Sequence, residues 1–278
     1  MHLLSLRNLK LWLESFTLSI LIIGVIESFM SIIDISLLYF LPETTWLYRL
    51  LFFLLFILLL TILISFLKAI FVKHFLTIKI RNITVHIKQG DLFKSKGKKI
   101  IPVNEYFDTK ADDIIIAKKS LHGLFLNNYV KNIEELKQKI ENYDENNESL
   151  KKYLKNNCVA YPLGRIITYE DFFLLSSTEF NEKNEAHLTK SKYENCLINM
   201  WKEICQKYAF NPIFVPLIGS GIARIDDWLD RTNFDILKFI LYTLYISFVD
   251  IRKPITIVLT KETMKSINIY ELKGVRYL

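Results

Sequence analysis

The chain has 278 residues, room for one substantial domain and a smaller part, and its composition is 51% hydrophobic with 20 Phe and a mean hydropathy of +0.22. That apolar excess is concentrated at the N-terminus, which excludes an ordinary water-soluble composition and points to membrane spans. The net charge of +7 is modest and spread along the chain, with no dense basic patch carrying interleaved aromatics, so a nucleic-acid partner is not expected.

Two apolar stretches come first. The second, about residues 46–67, contains the run Leu50 to Leu67 without a charge, enough to cross a hydrocarbon core, with Trp46 and Tyr48 at its interface. The first, about residues 16–41, is as long but carries Glu27 and Asp34. It is too long for a signal peptide's apolar region and lacks a small-residue cleavage site. Arg7 and Lys10 precede the first span, and Lys68, Lys73, Lys79 and Arg81 follow the second, whereas Pro42 to Thr45 between them has no basic residue. The positive-inside rule therefore predicts a hairpin with both termini in the cytoplasm. Residues 1–81 are read as this hairpin and its linker, anchored in the inner membrane. Residues 68–81 continue the second helix, lie on the anionic leaflet, or simply link.

Along the first span Glu14, Thr17, Gly24, Ser28, Ser31 and Asp34 recur at spacings near three, four and seven, with Glu27 beside them. Such a stripe on an apolar helix predicts a self-association face built on Glu27, Ser31 and Asp34, because ionisable groups at membrane depth turn toward protein or water. The alternative is that Glu27 or Asp34 meets the second helix or sits near an interface.

The predicted cytosolic domain, residues 82–278, alternates strands with helices. Ile83 to Lys88 alternates as a strand and runs into Gly90 and Asp91; Ile100 to Asn104 is a second strand. A short extended piece is expected near residues 114–117, before Ser120, Leu121, His122 and Gly123. Residues 130–157 read as a surface helical insertion. Strands resume at 164–169 and 172–177. A helix from about Ser191 to Tyr208 puts Tyr193, Leu197, Met200, Trp201 and Ile204 on one core face. Phe214 to Leu217 is a strand that feeds Gly219, Ser220 and Gly221, small residues whose backbone N–H groups can turn inward on phosphate oxygens. A tight turn of no function uses the same residues. A buried helix follows at 234–249, then a strand at 255–260. This order predicts a three-layer α/β/α domain with a mixed sheet. Cys158, Cys196 and Cys205 lack metal-ligand spacing and read as reduced thiols, so no metal is expected.

Together these loops resemble a macro domain. Gln89-Gly90-Asp91-Leu92 stands at the family's first-strand turn, Val103-Asn104 at its distal-ribose asparagine, and Phe214 to Ala223 at its phosphate loop. A closer resemblance is carried by Pro102-Val-Asn-Glu-Tyr-Phe-Asp-Thr109, Ser120-Leu-His-Gly123, Tyr161-Pro-Leu-Gly164 and Leu217-Ile-Gly-Ser-Gly221. This set is similar to the macro-type effectors of the Thoeris antiphage system, some of which carry two membrane spans. The resemblance implies an ADP-ribose derivative as ligand, cyclic or amino-acid-conjugated, and no cofactor. Asp91 and Leu92 would meet adenine; Gly219, Ser220, Gly221, Ile222 and Ala223 the phosphates; Asn104, Ser120, His122 and Gly123 the distal end. It also implies a TIR-domain NADase as the source of this second messenger, a homo-oligomer, and a bilayer as target. A macro hydrolase would carry a second asparagine where this chain has Phe107, and an aspartate in the loop that here reads Ser120 to Gly123. The reading is therefore of a non-enzymatic effector; the alternatives are a tethered ADP-ribosyl hydrolase or a passive anchored scaffold.

Overall fold

A computed structural model describes residues 9–32, 45–72, 75–113, 115–142, 153–155, 158–180, 186–221, 224–268 and 271–272. The chain divides into two compact units, a helical hairpin and a sheet domain.

The hairpin consists of α1 (Leu9–Ile32) and α2 (Trp46–Val72), both long and apolar enough to cross a membrane. Residues 33–41 of the expected first span, Asp34 included, lie outside the described residues. The row of α1 that α2 covers is Leu11, Ser15, Ser19 and Ile23, one residue every helical turn. Ser19 Oγ lies 3.1 Å from Thr61 Oγ1, and Glu14 pairs with Lys68 at 3.7 Å. Small hydroxyl residues let the backbones approach, and a hydroxyl pair joins them where no water competes. The expected stripe is thus divided: Thr17, Gly24, Ser28 and Ser31 are exposed and Glu27 is half-buried. Two of the outward hydroxyls are satisfied within the helix, Thr17 donating to Leu13 O and Ser28 to Gly24 O.

In the sheet domain the strands are β1 (Phe75–Ile80), β2 (Ile83–Gln89), β3 (Lys98–Asn104), β4 (Tyr153–Lys155), β5 (Cys158–Ala160), β6 (Ile166–Tyr169), β7 (Phe172–Phe180), β8 (Ala186–Leu188), β9 (Ile213–Pro216), β10 (Arg224–Ile225) and β11 (Ile255–Leu259). The helices are α3 (Leu121–Asn128), α4 (Ile133–Glu141), α5 (Lys190–Lys207), α6 (Asn233–Ile246) and α7 (Lys261–Ser266). The main sheet runs β1-β2-β11-β9-β3-β7-β8-β10, with β6 also on β7. The strands β2, β11, β9, β3 and β7 are mutually parallel, while β6 and β8 lie antiparallel to β7. The central strands β9 and β11 are buried at every position, as a parallel sheet covered on both faces requires. Ile101, Val103, Leu174, Phe214 and Val258 form one core with Phe125 of α3 and Leu136 of α4. The alternate residues Ile100, Phe173 and Val215 are fully buried on the opposite face. There α5 packs on β6, β7 and α6, and Trp201 Nε1 donates to Thr243 Oγ1 at 3.2 Å. The result is the three-layer α/β/α arrangement with a mixed sheet that the strand–helix order implied.

Three details differ from the sequence reading. Residues 75–80, expected in the linker, form the edge strand β1, whose alternation buries Leu76, Ile78 and Ile80 and exposes the intervening residues. The insertion at 130–157 is only partly helical: α4 is followed by the antiparallel pair β4–β5. The piece near 114–117 is not a strand in its described residues but part of a turn held by Asp113, whose carboxylate accepts from Lys118 N at 2.7 Å. The first difference has a measurable consequence. A fragment starting at residue 82 is expected to be less stable than one starting at residue 75 by on the order of 5 kcal/mol in denaturant titration. Three buried aliphatic side chains are lost and the edge of β2 is left open.

Candidate functional site

Because β2, β11, β9, β3 and β7 run parallel, the loops that leave β2, β9 and β3 open at one end of the sheet. The carboxyl ends of parallel strands are where α/β sheets hold ligands, since helix starts and free N–H groups converge there. Most of the residues singled out in the sequence lie in these loops.

At the end of β2, Gly90 N donates to Leu259 O at 2.9 Å, which carries the pairing with β11 one residue further. Asp91 is exposed, and its Oδ1 accepts from Phe93 N at 2.9 Å, an Asx turn that fixes where the carboxylate stands. Leu92 points the other way, into the core shared by Val103, Phe214 and Val258. It is a packing residue of this loop.

At the end of β3 the register against β7 shifts between Val103 and Asn104. Asn104 is buried, and its amide closes its own loop. Oδ1 accepts from Tyr106 N at 3.2 Å and Asp108 N at 3.3 Å, while Nδ2 donates to Asp108 Oδ2 at 2.8 Å. Phe107 adopts a positive φ of 53° and is buried edge-on to Tyr161, with ring centroids 5.1 Å apart. Burial raises the pKa of Asp108, the Asn104 hydrogen bond opposes this, and Asp112 nearby adds to the rise.

Ser120 is the N-cap of α3, its Oγ accepting from Gly123 N at 3.0 Å. Glycine is required at 123 because a Cβ there would stand 2.3 Å from Ala117 O. His122 is buried, and burial lowers its pKa to about 4 against a hydrogen bond to the Asp108 backbone. It therefore joins the Asn104 loop to α3 as a neutral ring. Its folded pKa lies below the unfolded value near 6.5, so the unfolded chain takes up the proton first as pH falls. The stability it contributes is complete above pH 6.5 and drains between pH 6.5 and 4, to a total of about 3 kcal/mol. His122→Asn is expected to flatten the pH dependence of unfolding in that window, as read by denaturant titration at several pH values.

The loop after β9 is held from behind. Leu217 and Ile218 are buried, and Ser220 Oγ donates to Leu217 O at 2.6 Å. Gly219 has φ +88°, the left-handed region in which a side chain is strained. Tyr193 of α5 donates its hydroxyl proton to Ile218 O at 2.6 Å. Complete burial pushes the Tyr193 pKa far upward, with Cys196 adding to the rise and Arg231 opposing it, so the phenol stays a donor. A trans peptide places its C=O and N–H on opposite sides; with Ile218 O drawn inward, Gly219 N–H faces out. Arg231 Nη2 lies 3.5 Å from Gly219 O, and space beside Gly221 is open. Ile222 and Ala223 lie outside the described residues. The loop then enters β10, which runs parallel to β8.

Thus Asp91, Asn104, Ser120, His122, Gly123, Gly219, Ser220 and Gly221 occupy loops at one end of the sheet and the N-terminal turn of α3, whereas Leu92 belongs to the core. Three residues of the site escaped the sequence. Asp108 is reached only once Asn104 folds back on it. Tyr193 was legible as a core position, but its hydroxyl bond to a strand-end carbonyl is a tertiary fact. Arg231 carries no local signal.

The chain matches the family model described as Thoeris protein ThsA, Macro domain, over residues 85–260. It is 36% identical over 220 residues to the Thoeris protein ThsA of Bacillus amyloliquefaciens (strain Y2), covering 75% of this chain and 73% of that protein. Among solved structures it is similar to the Oceanobacillus iheyensis macrodomain, a glycine-to-valine variant with ADPR, at 16% identity and TM-score 0.49, covering 72% of this chain and 98% of that one. The same macrodomain with ADP gives 16% identity and TM-score 0.49, covering 72% and 96%. With the family match spanning residues 85–260 and the relative 36% identical over 220 residues, this chain belongs to the ThsA macro-domain family of Thoeris proteins.

Proposed function

We propose that the chain is a membrane-anchored receptor for an ADP-ribose-derived nucleotide and acts as an effector of antiphage defence. The observation that carries this reading is the glycine loop after β9, with its Ile218 carbonyl drawn inward by Tyr193 and Gly219 N–H left facing out, in a chain of this family. The diphosphate lies over Gly219, Ser220 and Gly221 and the residues that follow, Ile222 and Ala223. Asp91 accepts from the adenine amino group. The distal end meets the Asn104–Asp108 loop and the Ser120–Gly123 turn, Asn104 acting through the loop it closes.

The nucleotide is the product of a TIR-domain NADase. Binding favours a clustered state of the chain, in which hairpins with both ends on the cytoplasmic side gather through the face carrying Glu27, Ser31 and Asp34 and open or break the inner membrane. Ligand can drive this only by binding the clustered state more tightly than the dispersed one. Anchoring is supported by the length and apolarity of α1 and α2. The receptor reading is favoured over a hydrolase by Phe107, whose ring is committed to the core, and by the burial and low basicity of His122.

The test is calorimetry on the full chain in detergent against ADP-ribose, its cyclic isomers, amino-acid-conjugated ADP-ribose and NAD. One modified ADP-ribose is expected to bind tightly without turnover, and Asp91→Ala to weaken it about tenfold, the size of one charge-assisted hydrogen bond. Binding of none of them overturns the reading. For the membrane step, dye-loaded liposomes carrying the full chain should leak on addition of the bound nucleotide; intact liposomes with ligand bound would remove that step.

A further inference from the structure

We infer that Arg231 is the positioning residue that sets the glycine loop for a diphosphate, and that its charge adds to the attraction this loop has for the phosphates. The inference rests on the receptor reading above. Arg231 stands directly before Thr232, the N-cap of α6, so its backbone is fixed by the capping box of Thr232 and Asp235. Nη1 donates to Trp228 O at 3.0 Å and Nη2 reaches Gly219 O at 3.5 Å. One planar fork thus ties two segments of the same connection, the glycine loop and the turn before α6. The guanidinium also lies near enough to Tyr193 to act on its hydroxyl, which itself holds Ile218 O.

Two consequences follow from that placement. With the carbonyls of Ile218 and Gly219 both engaged from behind, the peptide planes on either side of Gly219 cannot rotate freely, and the outward direction of Gly219 N–H is fixed before a ligand arrives. Such preorganisation lowers the ordering cost of binding. The guanidinium puts a positive charge 3.5 Å from Gly219 O, behind the face on which Gly219 N–H is offered to the phosphates. In a partly desolvated position this attraction is stronger than at an open surface and is weakened by salt. A lysine would keep the charge and lose the fork.

The experiment measures ADP-ribose affinity of the full chain in detergent across a salt series, for the unmodified chain, Arg231→Met and Arg231→Lys. Affinity of the unmodified chain should fall as salt rises. Arg231→Met should bind about tenfold or more weakly at low salt and show a flatter salt dependence. Arg231→Lys should keep the salt dependence at an affinity between the two. Binding by Arg231→Met equal to the unmodified chain overturns the inference. So does a loss of affinity with the salt dependence unchanged, because a purely structural residue would behave that way. If Arg231→Met does not fold, Arg231→Lys decides: several-fold weaker binding supports the inference and unchanged binding overturns it. An unmodified chain that binds neither ADP-ribose nor its conjugates overturns the receptor reading itself, a result distinct from binding that is indifferent to residue 231.

Discussion

Gly219→Ala is expected to weaken nucleotide binding about ten- to a hundredfold, and Gly219→Val more, while the sheet domain stays folded. At φ +88° a non-glycine residue costs about 1–3 kcal/mol if the conformation is kept. Keeping it also brings the new Cβ within 3.1 Å of Tyr193 Oη, closer than ordinary contact. The loop is exposed on its outer side and can relax by rotating the Gly219 peptide planes. That relaxation breaks the Tyr193 bond to Ile218 O and turns the Gly219 N–H away from the ligand. Strain of this size, taken from binding, corresponds to the stated loss at 1.4 kcal/mol per factor of ten. Calorimetry with the tightest-binding ADP-ribose derivative reads the affinity, and thermal unfolding reads the fold. Wild-type affinity in Gly219→Val would mean that this loop does not hold the phosphates. Gly221→Ala is the matched control for crowding: its Cβ would meet open space, so any loss there comes from the ligand side alone.

Glu203→Ala is expected to destabilise the sheet domain by about 3 kcal/mol. Glu203 is buried on α5, where Oε1 pairs with Arg165 at 2.7 Å and Oε2 with Lys207 at 2.6 Å. Lys207 also donates to Ile166 O at 2.6 Å, so this network fastens α5 to the β6 edge of the sheet. Removing the shared carboxylate leaves two cations facing each other across a hole, the arrangement for which truncating one partner of a buried pair costs most. Both cations keep some contact with water, which holds the loss toward the lower end of that range. Replacing the charges together, as in Glu203→Leu with Arg165→Met, should recover part of the loss, since apolar packing can substitute for a buried pair. Urea titration of the single and double variants gives the comparison. A loss well under 1 kcal/mol in Glu203→Ala would show that α5 is held by its apolar face alone. The same helix carries Tyr193, so the titration also tests how firmly the support of the glycine loop is mounted.

What the sequence determined here was local. The spacing of Tyr193, Leu197, Met200, Trp201 and Ile204 specifies one buried helical face, and all five are buried. The apolar run Phe214 to Leu217 ahead of Gly219 specifies a strand ending in a turn that only glycine takes easily, and the strand is found at Ile213–Pro216. These signals repeat within a few residues, and a helix or strand exposes them by its period alone. The family motifs are legible for the same reason, since each loop's residues are contiguous. What only the tertiary structure decided was which distant groups meet. Residues 75–80 alternate as a strand does, but that they pair with the edge of β2 is a tertiary fact. Asn104 turned onto Asp108, and Phe107 turned into the core, because a register shift at the end of β3 redirected the chain there. Ser15 and Ser19, rather than the stripe through Thr17 and Gly24, came to face α2, because the contact row is set by which residues of both helices interlock. Tyr193 and Arg231 arrived behind Gly219 from segments 26 residues before it and 12 residues after it, brought there by the packing of α5 on the sheet and of α6 against α5.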